Sequence, residues 1–338
     1  MRVGGPLAAT LTAIALALHP GCGRDPVPSA PTPVVQSQDI PAGTVLTVVS
    51  GETGRPVAGA SVTVAGRGST TDTAGEVRLT EPVPRGALMD VVAAGFLDRQ
   101  TTMRSAASTR FSLWPKASVT GLDEQTTAEL VYTSGSVCCP ADNLASQPLR
   151  RVLPTIGSFT LVLDARYRAN PEVGQAIQAG ASLAGAASGA RVVFVPADSG
   201  ASWRIDITSG PDPDNRPNIA AFADRQFDAQ GYITGGRVVF VIEDYLTGRR
   251  PYWELVTLVA HELGHMLGLG HTSSPGMMSV SRGRANFYAY FDARHDFSPA
   301  EKLALELMSD RRAGTRFPDN DRDAAASVAR RERIACRF

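Results

Sequence analysis

The chain has 338 residues, enough for two domains that each bury a core, and its 43% hydrophobic and 20% charged residues are ordinary for a globular protein. Thirty-three basic side chains offset thirty-three acidic ones, for a formal net charge of zero. No basic stripe is available to neutralise phosphates, which argues against nucleic acid or an anionic membrane surface as a partner.

The N-terminus departs from this average. Arg2 precedes the apolar run LAATLTAIALAL, residues 7–18, which is long enough for the core of an export signal and too short to span a bilayer comfortably. Residues 1–21 therefore read as a signal peptide. Cys22, after Gly21, resembles the lipidated cysteine of bacterial lipoproteins, although His19 and Pro20 stand where Leu and a small residue are usual. The resemblance implies a cell-envelope lipoprotein anchored only through Cys22, with cleavage and extracellular release as the alternative. Residues 22–41, with Pro26, Pro28, Pro31, Pro33 and Pro41, read as an extended tether.

From 42 to 115 the chain alternates short β-runs (VLTVVS, SVTVAG, EVRL, DVVAA, TRFSLW) with glycine-bearing turns, which predicts a small β-sandwich. TGRPVAGASVTV, TTDTAGEVRL and AAGF resemble carboxypeptidase regulatory-like or transthyretin-like modules. With no titratable cluster in this stretch, a spacer or adhesion module is expected rather than chemistry.

From 116 to 338 the pattern changes. FTLVLDARY reads as a strand, Pro171 to Ala187 as an Ala-rich helix opened by Asn170 and Pro171, and RVVFVP and WRIDITS as two further strands. NIAAFADRQF and GGRVVFVIEDY are extended stretches leading into a helix whose Val256, Val259, Ala260, Leu263 and Leu267 recur at helical spacing. Further on, Ser298, Pro299 and Glu301 form an N-cap, first-turn proline and capping-box acid for a helix that Gly314 closes. The acidic runs at 212–215 and 318–323 invite a structural Ca2+ reading, but they lack EF-hand spacing and are expected to be solvated loops.

The chain's chemistry is concentrated in HELGHMLGLGH, residues 261–271, which holds three of the five histidines. Residues four apart share one helix face, so His261 and His265 can point nitrogens at one ion, while Glu262 is placed to act on a water beside it. Gly268 permits an abrupt exit from the helix, and the chain then returns His271. Three nitrogens leave one tetrahedral position open, as a catalytic zinc site requires. The histidines are expected to face a cleft, opposite the apolar side of their helix.

This run resembles the extended motif of the metzincin zinc metalloproteases, and Thr272 after the third histidine is similar to the matrixin branch. The resemblance implies a methionine turn, supplied by HTSSPGMMSV: Met278 is the favoured residue and Met277 the alternative. It also implies a Zn2+ cofactor held by His261, His265 and His271, with Glu262 as general base in peptide-bond hydrolysis. No tyrosine stands two residues past Met278, and no role is assigned to Tyr288 or Tyr290. A peptide substrate is expected to add a strand to an edge near Asn218 to Asp224.

Among the remaining cysteines, a disulfide from Cys138 or Cys139 to Cys336 is expected in an exported protein, and a latency cysteine within CCPAD is the alternative. The resulting expectation is a multidomain, monomeric, exported protein. It pairs an N-terminal all-β sandwich with a C-terminal α/β (α+β) metzincin-like zincin domain acting as a zinc endopeptidase. The competing expectation is a surface-binding lipoprotein whose metzincin fold is catalytically idle.

Overall fold

The computed structural model describes residues 39–107, 109–132, 147–152, 158–195, 204–214, 219–241, 252–279, 296–322 and 331–337. Cys22, Cys138, Cys139, Tyr288, Tyr290 and the tether up to Gln38 lie outside these residues. The fold is α/β, with several sheets and few helices.

The N-terminal strands are short because glycine-bearing turns interrupt every apolar run. β1 (Val45–Ser50) pairs antiparallel with β4 (Glu76–Arg78) and parallel with β7 (Arg110–Leu113). A second sheet has the order β3 (Arg67–Thr70), β2 (Ser61–Val64), β5 (Leu88–Val92) and β6 (Arg99–Thr102). Alternate residues of both sheets, among them Leu46, Val48, Val62, Val64, Met89, Val91 and Phe111, enclose one buried cluster. β3 and β6 escaped the sequence pattern: every residue of β3 is exposed, and β6 reads RQTT.

The larger sheet has seven strands among the described residues. β9 (Ser158–Leu163), β10 (Arg191–Val195), β11 (Ile205–Ser209) and β13 (Tyr232–Phe240) run parallel, and the short β8 (Arg151–Val152) joins the start of β13. β12 (Ile219–Phe227) is antiparallel to β13 on one side and to β14 (Arg331–Arg337) on the other. β14 thus covers the edge that the sequence reading left open for substrate.

Among the described residues, five helices accompany the sheets: α1 (Glu124–Tyr132), α2 (Ala165–Arg168), α3 (Pro171–Ser188), α4 (Tyr252–Leu267) and α5 (Pro299–Ser309). Asn170 caps α3 by accepting from the amides of Glu172 and Val173, and Gly189 ends it at φ +68°. Its small residues let α4 come close: a Cβ at Gly180 would lie 2.4 Å from the Val256 carbonyl. α5 has the expected capping box between Ser298 and Glu301, but it stops at Ser309, with Asp310 as its cap. Gly314 lies in a later turn at φ +92°.

Gln38–Phe338 form one compact unit. Leu97, between β5 and β6, and Trp114, just after β7, belong to the larger hydrophobic cluster of α1, α3, α4 and the seven-stranded sheet. The same face is joined by buried charge. Arg311 grips Asp319 with three hydrogen bonds (2.9, 3.1 and 2.7 Å), donates to the Ser112 hydroxyl and carbonyl (both 2.9 Å), and lies 5.2 Å from the centre of the Trp114 ring. Arg104 pairs with Asp321 at 2.8 Å.

Asp319 and Asp321 are therefore buried partners of arginines, not the solvated acids expected at 318–323, because the chain turns them inward against β6 and β7. Near 212–215, Asp212 is buried, and Asp214 meets Arg333 of β14 at 3.2 Å. No metal-binding acidic cluster occurs among the described residues at either run.

Removing one member of a buried pair leaves the other charge uncompensated. Arg311→Met should lower unfolding stability by about 3–5 kcal/mol in urea titrations, whereas Arg67→Ala, in a pair open to solvent, should leave the midpoint unchanged. Equal midpoints for wild type and Arg311→Met would contradict a structural role for this charge network.

Candidate metal centre

α4 carries the first two ligand candidates because HELGHML continues an apolar helix without a breaker until Gly268. At Gly268 φ reaches +114°, and a Cβ there would meet the Arg150 carbonyl at 2.2 Å. Only glycine fits. The amides of Gly268 and Leu269 bond back to the His265 and Gly264 carbonyls, and the Gly270 amide donates to Leu130 of α1 at 2.6 Å. This turn delivers His271 opposite His261 and His265.

The three rings converge. His271 Nε2 lies 3.2 Å from His261 Nε2 and 3.1 Å from His265 Nε2. His261 Nδ1 donates to the Met277 carbonyl at 2.6 Å and His265 Nδ1 to the Leu269 carbonyl at 2.9 Å. A neutral ring that donates through Nδ1 presents a bare lone pair at Nε2. Burial holds the His261 pKa down to about 4 and, with mutual repulsion among the rings, holds those of His265 and His271 well below the ordinary imidazole range. Buried lone pairs at these separations repel unless a cation lies among them, and each Nδ1 bond fixes its ring as metal ligands are usually fixed.

A fourth donor was not foreseen. Cys336 of β14 places Sγ 3.4 Å from both His265 Nε2 and His271 Nε2, and the four ligand atoms lie within 4.8 Å of one another. The sequence reading used Cys336 as one end of a disulfide. Here its environment is the histidine cluster, because pairing of β14 with β12 carries it there. The donor set of three imidazoles and one thiol suits a metal ion.

Glu262 is fully buried beside this cluster, and neither carboxylate oxygen makes a well-formed hydrogen bond. Burial raises its pKa to about 8, with the nearby Cys336 thiol acting in the opposite direction. A cation in the cluster would favour the charged form. The histidines are 0–5% exposed, so the face expected to open onto a cleft is closed in this structure.

No model of a known protein family matches the chain, and neither does any curated protein.

The segment after His271 turns back against α4, and both of its methionines are buried there. Met278 is fully buried against α4 at Gly264, where a Cβ would lie 2.4 Å from Met278 Sδ, and Met277 supplies the carbonyl that holds His261. Glu301 fastens the turn by accepting from the Met277 and Met278 amides at 3.1 and 2.5 Å, while also accepting from Ser298 at 2.6 Å. Gly276 must be small, since a Cβ would meet Glu301 Oε1 at 2.4 Å. Burial raises the Glu301 pKa despite these bonds.

Glu129 of α1 secures the other side, accepting from Thr272 Oγ1 at 2.8 Å and from the Ser273 amide at 2.7 Å. Sequence marked Glu301 only as a helix cap and passed over Glu129. Their work depends on loops that meet far from either residue in the chain.

If Glu301 fixes His261 through the methionine turn, Glu301→Ala should weaken metal binding about 10–100-fold. Competition against a chromophoric chelator measures this, with circular dichroism confirming the fold. Unchanged affinity would remove Glu301 from the support of the site.

Proposed function

We propose that this chain is an exported zinc endopeptidase of metzincin type, with a matrixin-like C-terminal region, acting on extracellular or surface proteins. The observation that carries the reading is the fully buried Glu262 carboxyl adjoining three converging imidazoles. A carboxyl buried with little more than the Cys336 thiol beside it is costly, and a role as proton acceptor at a metal site accounts for it. The sequence of strand, helix, strands and histidine-bearing helix is the order expected of such a domain.

His261, His265 and His271 would hold the zinc. Zinc bound there supplies Lewis acidity and lowers the pKa of water at the site towards neutrality. Glu262 takes the proton of the attacking water and passes it to the leaving amine as the peptide bond breaks. The substrate would lie extended beside β12 in the place that β14 takes in this structure, held chiefly by backbone hydrogen bonds. Met278 and Gly264 keep the floor under the ligands packed, and the His261–Met277 and His265–Leu269 bonds hold both rings in the ligating tautomer. The N-terminal sandwich serves as a spacer, and export rests on residues 1–22, with Cys22 as the anchoring site.

One observation favours a second reading. Cys336 completes a set of four donors, and four protein ligands describe a closed, non-catalytic site on an idle fold. Activity is therefore best compared after the thiol is removed. Zinc-loaded Cys336→Ala should hydrolyse peptides from a mixed library, and adding Glu262→Gln should retain about one zinc per chain while slowing hydrolysis on the order of 10²-fold or more. A folded, zinc-loaded Cys336→Ala protein that cleaves nothing would reject the protease and leave the closed site.

A further inference from the structure

The geometry points to β14 as a built-in inhibitor strand, which occupies the substrate edge of β12 while Cys336 takes the fourth metal position; this inference rests on the protease reading above. Two independent features meet in the same seven residues. The first is backbone pairing: β14 runs antiparallel along β12, with Ala221 opposite Cys336, Ala223 opposite Ile334 and Arg225 opposite Glu332. That is how an extended peptide would dock on this edge. The second is the thiol, placed 3.4 Å from two of the ligating nitrogens.

The side chains of β14 divide by strand alternation. Glu332, Ile334 and Cys336 lie opposite the β12 residues of the α4 face, where Arg225 donates to the His265 carbonyl at 3.1 Å and to Glu332 at 2.7 Å. Arg333 and Ala335 take the other face. Arg333 lies 3.5 Å from Asp224, and Ala335 joins Ile219, Phe222 and Val239 in a buried cluster. The strand is thus specified on both faces. The Arg225–Glu332 pair, buried on its arginine side, joins the inhibitor strand to the backbone of α4 at His265, so the register that forms this pair also sets Cys336 at the histidine cluster.

Backbone hydrogen bonds exchanged between β14 and a substrate strand nearly cancel in free energy. What favours β14 is its side-chain anchoring, the thiolate–metal bond and its covalent attachment, which gives it an effective concentration on the order of millimolar. A free peptide at lower concentration does not displace it. Access to Glu262 and the metal then requires β14 to unpair or be removed, and the buried state of the histidines is the latent state.

The test uses the full chain and two readouts. Loaded with cobalt(II), the wild type should show thiolate-to-metal charge-transfer absorption in the near ultraviolet, and Cys336→Ala and the near-isosteric Cys336→Ser should both lack it. Loaded with zinc, whichever variant keeps the wild-type circular dichroism should cleave a peptide library at least about tenfold faster than wild type, the gain expected if fewer than one molecule in ten is open. An absent charge-transfer band in the wild type would overturn the ligand role of Cys336. Equal cleavage by wild type and variants would overturn inhibition while leaving the protease intact. A band in the wild type with no cleavage by any folded variant would overturn the protease, and with it the latency, in favour of a closed four-ligand site.

Discussion

Three imidazole nitrogens crowd to within about hydrogen-bond distance, and at least two of them lack a proton to share. His261 and His265 give their Nδ1 protons to backbone carbonyls, which leaves their Nε2 lone pairs facing His271 in a site shielded from water. Such a site calls for a cation to relieve the repulsion, and its four donors could hold a metal ion. The spacing of HELGHMLGLGH, the left-handed turn at Gly268, the methionine turn and the reach of β14 are all consistent with this one requirement.

The surrounding structure fixes the cluster with buried charge used as hydrogen-bonding capacity. Glu301 gathers three backbone amides from the methionine turn and the start of α5, and Glu129 gathers the loop after His271. Arg225 ties the end of α4 to β12 and β14. Each group is buried, and each is acceptable there because its partners are plural and well aligned. The packing of the N-terminal strands through Arg311, Asp319 and Trp114 follows the same rule at a distance from the site.

Much of the site was legible in the sequence because it is local. Helical period places His261 and His265 on one face, and only glycine accommodates both the φ at 268 and the approach of the Arg150 carbonyl. Strands β9 to β13 and helices α3, α4 and α5 were legible for the same reason: their apolar patterns and caps lie within their own windows. Cys336 was not, since nothing in RERIACRF shows that it pairs with β12 across more than a hundred residues. Asp319 and Asp321 look like solvated acids until their arginine partners are in place. β3 and β6 are too polar to register as strands, and the histidines were expected at a cleft because the covering strand could not be foreseen.

The central claim is that one metal ion draws together His261, His265, His271 and Cys336, and X-ray absorption at the zinc edge of the zinc-loaded full chain tests it most directly. The account predicts a first shell of three nitrogens at about 2.0–2.1 Å and one sulfur at about 2.3 Å. A shell built only of oxygens, or one lacking the histidine nitrogens, would contradict it.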